Sequence, residues 1–572
     1  MNTKKIVMVS AAAALACSAF GCAGNSSGNS LIVGVAAEIS GVFSPIYASG
    51  EYDMWINNLV YQKMMEYDDQ SKLVPVLLAE EPKLAQDGNS VTFKLKEGLK
   101  FSDGSDLNAN DVKFTFTLMA DPEYKGELYD GSFSFIEGWE EYRTGSAEEV
   151  SGIVVQDPTT VTFKFCKPDI DAVNSIANFW IMSDAQYPYS KGNLGKYKTD
   201  TQNPVGSNGY KLNSFDKSAG ASLVKNDQCF EKDEYKVDQI VVKSIEGSTE
   251  LDVLQKGEIN LLPEILEANI IGPASTDPNL TYNHYFRAGC GYMGFNCKQG
   301  PASDPAVRQA LSYAIDRQGF VDAFYKYPEA SEEVSKISLG YVPTLDWSPV
   351  SDSLGAYVTR QESLEGLQIY DFDLDKANQI LDEAGWRRGE NGIREKDGQK
   401  LEIRFLQLQD SAASDMLMPI IMKNWKEIGV DLKASLTEFN TIVTMLEDFE
   451  NKDVSGWDAF FLGMQFLNTS NTIMNRQLGY SGSADDPVYL GENYARIVDE
   501  ELNEALEQGK NTTDPAVSAE AYKRAAVRES ELAPYVSVYG NQFFDLYSNK
   551  IKNLKTGPVC NWSQAMKGVT IE

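Results

Sequence analysis

Three aspartates, Asp103, Asp106 and Asp111, crowd the stretch KEGLKFSDGSDLNANDVKFTF, which runs from Lys96 to Phe116. Such density offers a metal loop, a catalytic turn, or the chemistry of turns and helix starts. A calcium loop needs ligands at regular offsets and a closing bidentate glutamate. The three aspartates have neither. Asp103-Gly104 instead suits a tight turn, because Gly tolerates positive φ and Asp bonds its own backbone. Asn108 suits a helix N-cap, with Asp111 three residues on near the positive end of the helix dipole. Val112, Thr115, Phe116 and Met119 then share one helical face. A second trio, Asp371, Asp373 and Asp375, looks calcium-like, but Lys376 stands where the loop glycine belongs and the residues lead into a capped helix. No metal ligand set is assigned.

Nucleophilic and cofactor motifs also fail. Gly24-Asn25-Ser26-Ser27-Gly28 fits G-x-S-x-G but has no strand or helix around it. Gly192-Asn193-Leu194-Gly195-Lys196 lacks phosphate-loop spacing and context. The one histidine, His284, stands beside Tyr282, Tyr285 and Phe286, a setting for a packed strand residue rather than a base. It also argues against nickel or haem as cargo. Paired carboxylates could hydrolyse a glycoside, yet nothing among 83 acids singles out a pair. Seven cysteines contain no C-x-x-C. Cys290 and Cys297 could pair or remain buried thiols. No cofactor is expected.

A chain of 572 residues is long for one core and predicts two to four domains or lobes. A net charge of −32 disfavours nucleic acid and attachment to anionic lipid through basic patches. Lys4 and Lys5 precede an apolar run, Ile6 to Phe20, too short to span a bilayer. Gly21-Cys22 and a Gly/Ser linker, Ala23 to Ser30, follow. This resembles a lipoprotein signal cleaved before Cys22, which then receives lipid. Cys17 is the alternative site, and a plain secretory signal the alternative process. No later stretch is apolar enough to span a bilayer, which places the body outside it, on the outer face of the cell membrane or in a periplasm.

Leu31 to Ala36 reads as a buried strand, and Asn57 to Met65 has helical spacing. Val91 to Lys96 and Val161 to Cys166 alternate apolar and polar and suggest one small β-rich unit. Asn203 to Gly209 is a breaker cluster, a crossing between lobes. Tyr210 to Lys225 reads as two short strands, and Thr249 to Lys256 as a helix ended by Gly257. Asp304-Pro305 starts a helix carrying Val307, Ala310, Leu311, Ala314 and Ile315 on one face. Asp373 to Ala384 is another helix, stopped by Gly385. Leu417, Ile421, Trp425 and Ile428 form a third, before Gly429 and an apolar strand, Val430 to Ala434. Helix-then-strand order predicts parallel-sheet units in this half.

In order, these pieces resemble the family 5 extracellular solute-binding proteins of ABC importers, which include oligopeptide- and dipeptide-binding proteins. The resemblance rests on Gly98-Leu99-Lys100-Phe101-Ser102-Asp103-Gly104 with Leu107-Asn108-Ala109-Asn110-Asp111-Val112. It continues through Asn203-Pro204-Val205-Gly206, Gly209 to Leu212, Leu254 to Ile259, Tyr292 to Asn296, Val307 to Arg317, Ala384-Gly385-Trp386, Asp397-Gly398 and Trp425 to Val430. It implies an α/β, two-lobed periplasmic-binding-protein-like fold (type II, cluster C) with an extra inserted small domain. Implied boundaries are 1–21 signal peptide, 22–30 anchored linker, 31–72, 203–287 and 542–572 lobe one, 73–202 inserted domain, and 288–541 lobe two. Closure of the lobes would trap the solute, and the closed form would dock on the permease subunits; a monomer is expected.

The resemblance places solute contacts in Glu38 to Phe43 and Phe460 to Asn468, through Glu38, Ser40, Phe43, Met464, Gln465, Phe466 and Asn468, with Tyr292 and Trp457 nearby. Peptide binders typically carry an Asp a few residues after the Gly matching Gly463, to hold the amino terminus. Here Leu467 or Asn468 stands in its place, and Met464 replaces the usual aromatic. A neutral site loses the charge-assisted bond to a free amino group. Either longer or end-blind peptides bind, then, or the solute is not a peptide; the expected function is capture of an oligopeptide for import. An oligosaccharide receptor is the alternative within the class. A secreted glycan hydrolase and a ligand-free surface scaffold are the alternatives outside it.

Overall fold

The computed structural model describes residues 29–126, 133–245, 249–324, 326–337, 354–358, 362–409, 411–451, 453–465 and 473–572. Cys17 and Cys22, with the leader and most of the linker, lie outside them. Its spine is a ten-stranded sheet. In spatial order the strands are Asp431–Thr437, Glu402–Leu408, Ala459–Gln465, Leu280–Phe295, Tyr535–Ser548, Leu261–Ile265, Ser30–Val35, Gln239–Ser244, Gly220–Lys225 and Tyr210–Asp216.

The two central strands are the longest, at 16 and 14 residues, and they serve both halves of the sheet. Leu280–Phe286 pairs with Gln542–Ser548; the register then breaks, and pairing resumes from Cys290 opposite Gly540. Before the break the sheet extends through Leu261–Ile265 into one half. After it, Gly289–Phe295 pairs with Ala459–Gln465 in the other. A bulge bends a strand and raises its twist. Two lobes therefore hang from two continuous strands, which bend at Arg287–Gly289 opposite Asn541.

Each lobe has its own core. Leu31, Val33, Trp55, Tyr210 and Trp562 centre one; Phe295, Leu311, Phe405, Trp425 and Val538 centre the other. In the second lobe Glu402–Leu408 runs parallel to both Asp431–Thr437 and Ala459–Gln465, as helix-then-strand order predicts. A third core surrounds a four-stranded antiparallel sheet in which Ser90–Lys94 pairs directly with Thr160–Lys164.

The acidic stretch at Lys96 is built as its residues predict. Gly104 sits at φ +91, and the Ser105 amide donates to Asp103 at 2.9 Å. The helix spans Ala109–Met119. The Asn110 amide donates to the Asn108 side chain at 2.9 Å, and the Asn108 amide donates to Asp111 at 2.8 Å. Asp304 likewise caps Pro305–Tyr313, and Asp373 caps Leu374–Glu383.

One helix differs from expectation. Asn57 to Met65 was the helical span by spacing, whereas the helix is Glu51–Val60. Lys63 bridges Trp180, and Met65–Tyr67 becomes a strand paired with Leu73–Pro75. Met64 and Met65 are apolar because they pack into the third core, not because a helix continues. Among the described residues, Cys166, Cys229, Cys290, Cys297 and Cys560 form no disulfide.

Candidate functional site

Two segments, one from each lobe, are the candidate walls of a solute site. The first candidate wall is the loop after Ser30–Val35. It is pinned by Asp53, buried in the first turn of Glu51–Val60. The Asp53 carboxylate accepts from the amides of Ser40 at 3.2 Å, Gly41 at 2.7 Å and Val42 at 2.8 Å, and from the Ser40 hydroxyl. Gly41 holds φ +84, a left-handed conformation that favours glycine. The Phe43 amide donates to the Thr201 carbonyl at 3.1 Å, closing the loop. Glu38 and Ser40 are left exposed on this wall.

The second wall is the end of Ala459–Gln465. The Glu402–Leu408 strand pairs with it only at Ala459 and Phe460, so Phe461–Gln465 runs on with that edge unpaired among the described residues. Arg287, at the bend, donates through Nη2 to the Met464 carbonyl at 2.7 Å. Gly463 is exposed, while Met464 is buried and takes an amide from Gln477 on its sulfur at 2.9 Å. Gln465 is the last residue of the strand; Phe466, Leu467 and Asn468 lie outside the described residues.

Three of the expected contact residues are buried. Phe43 is buried in the first lobe's core, edge-on to Phe215 at 5.0 Å. Tyr292 packs against Phe460 at 5.8 Å and Tyr535 at 5.7 Å, and Trp457 against Phe460 at 5.7 Å, all inside the second lobe. Aromatic burial of this kind supports a wall and offers it no surface.

Sequence reasoning missed the polar residues at the bend. Glu264 is half-buried, holds φ +58 and donates its amide to Asp545 at 2.9 Å. Burial, then the Glu51 and Asp545 carboxylates, hold its carboxyl well above the usual range, against the pull of Arg287. His284 shares a 2.5 Å hydrogen bond with Gln542 and stacks on Phe544 at 5.4 Å, so it is a packed strand residue. Met464 lies 177 positions from Arg287 and Asp545 lies 281 from Glu264, beyond any local signal.

Asp545 yields a pH prediction. It is fully buried, accepts from Glu264 and Thr556, and burial pushes its carboxyl from an ordinary 3.8 up to about 6. A raised folded value means that the stability of the protonated form is whole below pH 3.8 and is lost as pH rises through about 6. Asp545→Asn removes that loss. The variant is expected to match the parent near pH 4 and to exceed it by about 3 kcal/mol above pH 7, in urea unfolding read at both pH values. A constant difference across pH would contradict this assignment.

Two lobes share a pair of continuous central strands whose register breaks between Phe286 and Cys290. The family profile described as bacterial extracellular solute-binding proteins, family 5 middle, matches residues 72–483. The chain belongs to that family, and is a binding protein rather than an enzyme. Oligopeptide-binding protein AppA of Bacillus subtilis (strain 168) is 24% identical over 522 residues, covering 90% of this chain and 86% of its own. Heme-binding protein A of Haemophilus influenzae is 23% identical over 515 residues, covering 87% and 85%. The crystal structure of NikZ from Campylobacter jejuni in complex with Ni(L-His) superposes with a TM-score of 0.73 at 20% identity, covering 95% of this chain and 99% of that one. Among the described residues no helix is long and apolar enough to cross a membrane.

Proposed function

We propose that the chain captures oligopeptides in this cleft and delivers them to the permease subunits of an ABC importer, held to the outer face of the membrane by lipid on Cys22. The edge of Phe461–Gln465, unpaired among the described residues, carries the reading. It offers backbone donors and acceptors to an extended chain, the mode by which strand addition binds peptides whatever their side chains. In this reading the solute also meets Glu38 and Ser40 from the other lobe and the side chains of Met464, Gln465, Phe466 and Asn468. Residues 73–202 stand as an insertion in a first lobe made of 31–72, 203–287 and 542–572, with 288–541 as the second. Closure about Arg287–Gly289 then converts solute affinity into a shape the permease reads, because a ligand shifts the lobes only by binding the closed state better.

Thermal-shift screening of the mature chain against peptide and oligosaccharide libraries tests this. Peptides at about 100 times their Kd should stabilise it by about 2.7 kcal/mol. With Leu467 or Asn468 in place of an acidic anchor, N-acetylation of a bound peptide should change its affinity less than about threefold, against the tenfold that each 1.4 kcal/mol represents. Stabilisation by oligosaccharides alone overturns the peptide assignment, and stabilisation by no solute overturns the receptor role.

A further inference from the structure

A cavity of about 870 Å³ lies in the second lobe and shares no residue with the two cleft walls. Arg308, Arg496, Phe449, Tyr489, Ile497 and Leu532 line it. Both arginines are only 2% exposed. Arg308 donates Nε to the Leu532 carbonyl at 2.8 Å and Nη1 to the carbonyls of Ala302 and Ser303 at 2.8 and 3.0 Å, and among the described residues its Nη2 has no acceptor. Arg496 donates Nη2 to the Asp448 carbonyl at 3.1 Å. Its Nε and Nη1 are buried with no partner among the described residues. The guanidinium lies over Phe449 at 4.1 Å and Tyr489 at 5.4 Å. Neither arginine has a carboxylate in ion-pair contact among the described residues.

Two buried cations without a counter-ion are costly in any fold. A buried donor left unmade costs about 1–3 kcal/mol, more when charged, and a buried charge is normally paired. The acids nearest the cavity, Glu450, Asp485 and Asp486, are exposed at its rim. Lys298 lines the cavity as well, so its cationic and acidic side chains are equal in number, with the acids exposed at the rim and both arginines buried. The volume suits a small organic molecule, and guanidinium geometry suits a carboxylate.

We infer that this cavity is a second binding site, for a small carboxylate with an apolar or aromatic body. The carboxylate takes the open N–H groups of Arg308 and, once the Tyr489 ring turns aside, those of Arg496. The body packs on Ile497, Leu532 and the exposed Val488.

The probe is 4-bromobenzoate, with neutral 4-bromobenzamide as its control, titrated calorimetrically into the mature chain and soaked into crystals for bromine anomalous scattering. The acid should bind at least about tenfold more tightly than the amide, with the bromine in this cavity. Arg496→Gln should weaken it about tenfold or more. Val488→Asp, at a position 62% exposed and so safe for folding, should do the same by placing a negative charge at the mouth. No binding of the acid, equal binding of the amide, bromine only in the inter-lobe cleft, or parent affinity in Val488→Asp each overturns the assignment. Failure here leaves the peptide cleft unaffected, since the two sites share no residue.

Discussion

Replacing Asp53 by Ala is expected to cost about 3 kcal/mol of stability and to weaken solute binding at least about tenfold. One carboxylate gathers the amides of Ser40, Gly41 and Val42 and the Ser40 hydroxyl, and it does so while buried. Bonds to an ionised acceptor contribute about 1.5–3 kcal/mol each in isolation but are not additive. Removing the acceptor strands donors at Gly41, which is itself buried and held at φ +84. The loop that carries Glu38 and Ser40 then loses its fixed path, and binding must supply the ordering. Urea unfolding and calorimetric titration of the best peptide from the screen check both parts. Asp53→Asn keeps the shape but loses the charge and half the acceptor capacity, so it should fall between parent and Ala. An Ala variant that binds peptide like the parent would mean the Glu38–Phe43 loop is not part of the solute wall.

How much of this was legible in sequence depends on how far apart the interacting residues lie. The Asp103-Gly104 turn and the caps at Asn108, Asp304 and Asp373 are complete within a few positions, so residue type and spacing sufficed. Helix-then-strand order was enough for the parallel pairing of Glu402–Leu408 with Asp431–Thr437. The extent of Glu51–Val60 was not legible, because apolar spacing continues through Met64 and Met65 for reasons of tertiary packing. The burial of Phe43, Tyr292 and Trp457 was not legible for a related reason. Their type says that they bury surface, not which side of a wall they occupy. The bend's polar residues were out of reach altogether: Arg287 meets Met464, and Glu264 meets Asp545, only once the sheet is assembled.

Gly289→Ala is expected to destabilise the chain by about 3 kcal/mol and to abolish tight solute binding while leaving the inserted domain's sheet intact. Gly289 pairs with Gln465 where the central strand leaves the bend and meets the cleft strand. It does not hold a left-handed φ, so the need for glycine is one of space. A Cβ here would overlap the Met464 carbonyl oxygen and lie 2.8 Å from Arg287 Nε. Main chain cannot swing away as a side-chain tip can, so the strand Ala459–Gln465 has to move. That displacement breaks the bond from Arg287 to the Met464 carbonyl and carries the free edge of Phe461–Gln465 out of line with the opposite loop. Bulges bend strands at chosen places, and a bend that serves closure tolerates little added bulk beside it. Amide exchange by mass spectrometry separates the effects. Protection should fall in Gly289–Phe295 and Ala459–Gln465 and stay at parent levels in Ser90–Lys94 and Thr160–Lys164. Unchanged protection in Ala459–Gln465 together with parent affinity would show that the strand is not held by this contact and that the hinge lies elsewhere.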